Sequence, residues 1–191
     1  MHELDQRILA EAVYLGNGIV KLDSFLNHRI DTILMTGIGK ELARLLLEGG
    51  ASSVNKVVTA ETSGIAPALT TAQALGVPMV FARKKRPVTL VGDCYQSSAR
   101  SHTKGELATL HISGEYLSPD DRVVIIDDFL GTGDTAEAML DLVEQSGATL
   151  CGIGYVIEKV FEHGRDHMRE IEAPVVALAR IDIENDRVVI R

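Results

Sequence analysis

Apolar residues are spaced at helical intervals over the first quarter of the chain and gather into short unbroken runs afterwards. Residues 4, 8, 9, 12 and 13 fall on one helix face, which predicts an amphipathic helix over 4–13, ended by Gly16 and Gly18. Val20 to Asn27 reads as a short extended piece and a loop. Apolar residues 30, 33, 34, 38, 42, 45 and 46 predict a second helix over 30–47, stopped by Gly49-Gly50. From there the pattern switches. Strands are predicted at 56–60, 77–82, 123–126, 152–157, 174–179 and 187–190, with helices at 66–75, 135–145 and 165–171. Val123 to Ile126 is apolar on both faces, as a central parallel strand requires. Between 83 and 118 the pattern weakens; 88–91 and 107–113 alternate like a hairpin, and roughly 87–118 reads as a flap.

Alternating strands and helices define βαβ units, hence an α/β fold with a mostly parallel sheet. At 191 residues, 46% apolar and 24% charged, the chain suits a single domain over 1–191. There is no repeat and no Pro/Ser-rich linker. Aromatics are only 4%, so the core is aliphatic. The net charge of −8 argues against a nucleic-acid partner, with Arg83-Lys84-Lys85-Arg86 as a local exception. Cys94 and Cys151 are too few for a disulfide framework or a metal knuckle, the six histidines lack paired metal spacing, and a reducing cytoplasm fits. The amino terminus lacks the basic start and apolar run of a secretory signal. The most apolar window, 65–82, is broken by Pro67, Gly76 and Pro78, so no membrane span is expected.

The stretch richest in chemistry is Val123-Val124-Ile125-Ile126-Asp127-Asp128-Phe129-Leu130-Gly131-Thr132-Gly133-Asp134-Thr135. A buried strand delivers two adjacent carboxylates to the sheet end where α/β folds bind ligands, and carboxylates accept from vicinal ribose hydroxyls. Gly131 and Gly133 can expose backbone N–H groups at the positive end of the following helix, where a phosphate is favoured, and Thr132 and Thr135 add hydroxyl donors. The spacing is not that of a nucleotide-binding P-loop, and no Lys follows; the third Gly of a dinucleotide fingerprint is missing. The simpler alternative is a surface turn with Asp134 or Thr132 capping the helix.

Three other segments carry compatible chemistry. Thr62-Ser63-Gly64-Ile65 is a small-residue strand-to-helix turn able to bring N–H groups to a diphosphate, or else a tight turn with Ser63 as cap. Arg83 and Lys84 follow a strand at the same end of the sheet as the acidic pair, where diphosphate charge needs neutralising; the alternative is a solvated basic turn. Asn27 can donate and accept, matching the polar edge of an oxidised purine, and Lys159 puts an ammonium near a strand end, though both residue types are often simply solvated.

The acidic pair and the Gly131–Thr135 loop resemble the phosphoribosyl diphosphate signature of type I phosphoribosyltransferases. Four further segments, 23–28, 61–67, 80–84 and 157–159, resemble bacterial xanthine phosphoribosyltransferases over nearly the whole chain. The resemblance implies a mostly parallel five-stranded sheet flanked by helices, a small hood from about 1–30 plus a C-terminal segment, and a flexible flap at about 87–118. It implies that Asp127 and Asp128 hold the ribose hydroxyls as the catalytic pair, and that Gly131, Thr132, Gly133, Asp134, Thr135, Ser63, Gly64, Arg83 and Lys84 hold the phosphates. Val20, Asn27 and Lys159 then contact the base. Mg²⁺ is expected to ride on phosphoribosyl diphosphate with no dedicated protein metal site, and a homodimer is implied. The loop carries Gly131-Thr132-Gly133-Asp134 where that family has Ala-Asn-Gly-Gln, Val20 replaces the usual Leu, and segment 100–104 matches only at Ser101, Thr103 and Lys104. Transfer to xanthine is the first reading. Transfer to guanine, hypoxanthine or adenine, or a non-catalytic sensor of phosphoribosyl diphosphate, stay open at this point.

Overall fold

The computed structural model describes residues 1–86, 92–100 and 107–191. The chain opens with helix α1 (His2–Glu11), the two-residue strands β1 (Val13–Tyr14) and β2 (Val20–Lys21), and a wide π-type turn at Asp23–Asn27. Helix α2 (Thr32–Glu48) follows, then β3 (Lys56–Ala60), α3 (Ile65–Leu75) and β4 (Met79–Ala82). Strands β5 (Cys94–Arg100) and β6 (Leu107–Ser113) form a hairpin, succeeded by β7 (Arg122–Leu130), α4 (Asp134–Ser146), β8 (Thr149–Lys159), β9 (Val175–Glu184) and β10 (Arg187–Ile190).

The main sheet has the order β10-β9-β8-β7-β3-β4. Its four pairings from β9 to β4 are parallel, and β10 adds an antiparallel edge through a tight turn after Glu184. Val124 and Ile126 of β7 face the cluster built with α1, α2 and α3, including Leu34, Ile38, Leu42 and Leu46. Val123 and Ile125 face the opposite cluster, with α4 residues Met139 and Leu142 and hairpin residues Leu110 and Ile112. The period-two alternation of β7 is thus apolar on both sides because both sides are covered.

The start of α2 is set by Asp31, whose carboxylate accepts from the N–H groups of Ile33 and Leu34 at 3.2 and 3.1 Å. That cap places the helix start two residues after the Ile30 expected from periodicity. The hairpin also departs from expectation. Leu107–Ser113 pairs with Cys94–Arg100, in register from Cys94 opposite Ser113 to Arg100 opposite Leu107. The strand expected at 88–91 and the segment 101–104 lie outside the described residues. The helix expected at 165–171 is a short 3₁₀ segment, Gly164–Met168, where the Arg165 side chain is held by buried Glu158 at 2.6 and 2.8 Å. Among the described residues, no helix is long and apolar enough to cross a membrane.

Candidate active site

Strand β7 runs beyond the apolar core residues because β8 continues to pair with it, Asp127 opposite Tyr155 and Leu130 opposite Glu158. Asp127 and Asp128 are therefore held by the ladder, inside the strand and not just after it. Asp128 is buried, and its backbone N–H donates to Asp127 Oδ1 at 2.9 Å. Its carboxylate accepts from Asn27 Nδ2 at 2.6 Å, a bond between residues 101 positions apart. Burial pushes the Asp127 carboxyl well above the ordinary carboxylate range, with the Asp128 charge and a hydrogen bond between the two carboxyls acting the same way, while the Asp128 backbone N–H and then Lys84 oppose. Asp127 nevertheless keeps part of its surface accessible.

This arrangement ties function to stability. With its pKa raised on folding, Asp127 makes the folded state hold a proton that the unfolded chain has released, so stability falls as pH rises from the unfolded value of about 4 towards the folded one. Asp127→Asn is expected to raise Tm at pH 7, with the gain fading near pH 4. Equal Tm values for variant and parent at pH 7 in thermal melts would contradict this.

After β7 the chain turns through Gly131–Gly133 into α4. Gly133 takes φ 99, a left-handed conformation for which glycine is suited, and no side chain among the described residues caps α4. Thr132 Oγ1 donates to Asp134, and the Gly164 N–H donates to the Gly131 carbonyl at 3.0 Å, bracing the loop from the 3₁₀ segment. The leading N–H groups of α4 are thus left to water or to an anion, which is not the capped turn of the simpler alternative.

The turn after β3 lies against the acidic pair. A Cβ at Gly64 would lie 2.5 Å from Asp127 Oδ1 and would collide with Thr59 Oγ1, so only glycine lets the turn come this close. Ser63 makes no helix-capping bond: α3 starts from Gly64 without a side-chain cap. The Glu61–Thr62 peptide bond is cis. Glu61 organises the basic turn, accepting from the Lys84 N–H at 2.7 Å and pairing with Arg83 Nε at 3.2 Å. Lys84 acts electrostatically on Asp127, whereas the Arg83 guanidinium is turned onto Glu61 and over Phe81.

On the opposite side stand the remaining expected residues. Val20 is buried in β2, opposite Tyr14 of β1. Lys159, at the end of β8, donates to the Gly18 carbonyl at 2.9 Å, lies 5.2 Å from the centre of the Phe129 ring and pairs with Glu162 at 3.4 Å. Glu61, Glu162 and Gly164 were not singled out from the sequence. Glu61 carried a signal in adjoining the Thr62–Ile65 turn, and Glu162 one in standing three residues after Lys159; Gly164 carried none, since its partner is a remote loop carbonyl. No group of three or more His, Cys, Asp or Glu residues able to hold a metal ion occurs among the described residues.

A parallel sheet with an acidic pair, an uncapped glycine loop and a helix start at one strand end is a phosphosugar-binding arrangement, and the comparisons with known proteins agree. Residues 31–190 match the phosphoribosyl transferase domain, and the chain belongs to that family. It is 46% identical to the xanthine phosphoribosyltransferase of Streptococcus pneumoniae strain Hungary19A-6, covering 100% of this chain and 98% of that protein; the strain P1031 enzyme is 45% identical. Among solved structures, adenine phosphoribosyltransferase from Saccharomyces cerevisiae aligns with TM-score 0.73 and 25% identity over 93% of this chain and 99% of that one. The Thermoanaerobacter pseudethanolicus adenine phosphoribosyltransferase, at 21% identity and TM-score 0.72 over 94% and 99%, shares the fold.

Proposed function

We propose that the protein transfers the 5-phosphoribosyl group from phosphoribosyl diphosphate to xanthine, giving xanthosine 5′-monophosphate and diphosphate. The observation that carries this reading is the Asn27–Asp128 hydrogen bond, which sets a purine-matching amide beside a ribose-matching carboxylate. Because the Asn27 N–H is engaged by Asp128, its Oδ1 is left to accept from a ring N–H, as an oxidised purine offers. Xanthine is favoured among purines by the full-length similarity to xanthine phosphoribosyltransferases.

In this reading Asp127 and Asp128 accept from the ribose hydroxyls, and Gly131, Thr132, Gly133, Asp134 and Thr135 hold the 5′-phosphate against the start of α4. Ser63, Gly64 and Lys84 bind the diphosphate, joined by Arg83 once its guanidinium swings from Glu61, with Mg²⁺ arriving on that substrate and keeping much of its water. Val20, Asn27 and Lys159 line the base. The C–O bond to diphosphate breaks as the ring nitrogen attacks the anomeric carbon, positive charge builds on the ribose, and rate comes from positioning and leaving-group neutralisation. The unit is one domain with residues from about 1–30 plus a C-terminal segment as a hood, working as a homodimer in the cytoplasm.

The test is direct. The protein is incubated with phosphoribosyl diphosphate, Mg²⁺ and one purine at a time, and nucleotide and diphosphate are measured. Turnover greatest with xanthine is the expected result. Product from guanine, hypoxanthine or adenine but not xanthine overturns the base assignment, and tight binding of both substrates without product overturns the catalytic one.

A further inference from the structure

Glu162 lies one short turn beyond Lys159, and its carboxylate is wedged between two glycines from distant parts of the chain. A Cβ at Gly18 would lie 2.5 Å from Glu162 Oε1, and one at Gly131 would collide with Oε2. One carboxylate oxygen therefore faces the turn between β1 and β2, and the other faces the phosphate loop. The side chains of Lys159 and Glu162 are only 14% and 7% exposed, so their 3.4 Å ion pair is little screened by solvent. Lys159 also donates to the Gly18 carbonyl and rests over Phe129.

A lysine ammonium has three N–H directions. With the Gly18 carbonyl and Glu162 engaging it, the direction of the third is set. We propose that Glu162 is the positioning residue of the base subsite: it keeps the Lys159 ammonium aimed at the base oxygens. The proposal rests on the reading of Lys159 as a base ligand. Glu162 itself touches neither substrate.

The test compares Glu162→Ala, Glu162→Gln, Lys159→Met and the double variant Glu162→Ala/Lys159→Met by steady-state kinetics in both substrates. Loss of one buried charge-assisted contact is expected to raise KM for xanthine about tenfold in Glu162→Ala, with KM for phosphoribosyl diphosphate within about twofold of the parent. Glu162→Gln keeps an acceptor oxygen in the same volume and is expected to recover most of that loss. Acting through one lysine, the two single changes should not multiply, so the double variant should be no worse than Lys159→Met alone. Should the alanine cavity prevent folding, Glu162→Leu fills the space without an acceptor and gives the same readout.

An equal rise in both KM values, or effects that multiply, overturns the positioning role. Lys159→Met with an unchanged KM for xanthine removes Lys159 from the base subsite and so overturns the underlying reading. Impaired Lys159→Met beside unaltered Glu162→Ala overturns the role of Glu162 alone.

Discussion

Asp128→Ala is expected to lower kcat/KM by about 100-fold or more, since hydrogen bonds to a charged group contribute about 1.5–3 kcal/mol each and the carboxylate is placed to make at least two. One is visible: the 2.6 Å bond from Asn27, which orients an amide otherwise exposed at the end of a turn. The second is the proposed bond from a ribose hydroxyl. Losing both frees the base-side amide and the sugar together, and a misplacement of about 1 Å between reacting groups can by itself remove about 100-fold. The fold should tolerate the change, because the Asp128 charge works against its neighbour, helping to hold the Asp127 carboxyl above the ordinary range. Steady-state kinetics with a parallel thermal melt separate the two effects. A loss of less than about tenfold with normal stability would remove Asp128 from the proposed machinery.

Gly64→Ala is the second large effect, and its cause is steric only. Gly64 has φ −67 and ψ −17, an ordinary helical conformation open to any residue. The obstacle is space. The new methyl would collide with buried Thr59 Oγ1, lie 2.5 Å from Asp127 Oδ1 and 3.1 Å from the Ala60 carbonyl, all fixed by β3 and β7 in the centre of the sheet. The turn must withdraw from the acidic pair, and kcat/KM is expected to fall by about 100-fold while overpacking costs about 1–3 kcal/mol. Urea unfolding and kinetics on the same preparation check both. Activity near that of the parent would show that the close approach of this turn to Asp127 is not needed for turnover.

Much of the fold was legible because buried elements repeat their apolar residues at the period of their backbone. Strand β3 was expected at Lys56–Ala60 and is found there, and α3 and α4 begin within one residue of expectation. The misplaced boundaries share a cause. β7 was expected to stop at Ile126, where its apolar run ends, yet the ladder with β8 carries it to Leu130. β9 reaches Glu184, beyond the expected Ala179, because β10 folds back and pairs residues 181–184. The hairpin strand at Cys94–Arg100 is polar enough to carry no period-two signal, and its register comes from pairing with Leu107–Ser113. In each case a partner strand supplies hydrogen bonds that hydropathy does not encode.

The amino-acid sequence by itself determined the α/β class, the acidic pair, the glycine loop before α4 and the family resemblance, since each rests on residues close together in the chain. Only the tertiary structure decided what those residues meet. It brought Asn27 to Asp128 across 101 positions, pressed Gly64 against Asp127, turned Arg83 onto Glu61, and set Glu162 between Gly18 and Gly131. These are contacts between segments joined by neither helical nor strand period, so no local pattern records them. They form where a central strand draws the ends of its neighbours together, and the chemistry proposed for the protein depends on that convergence.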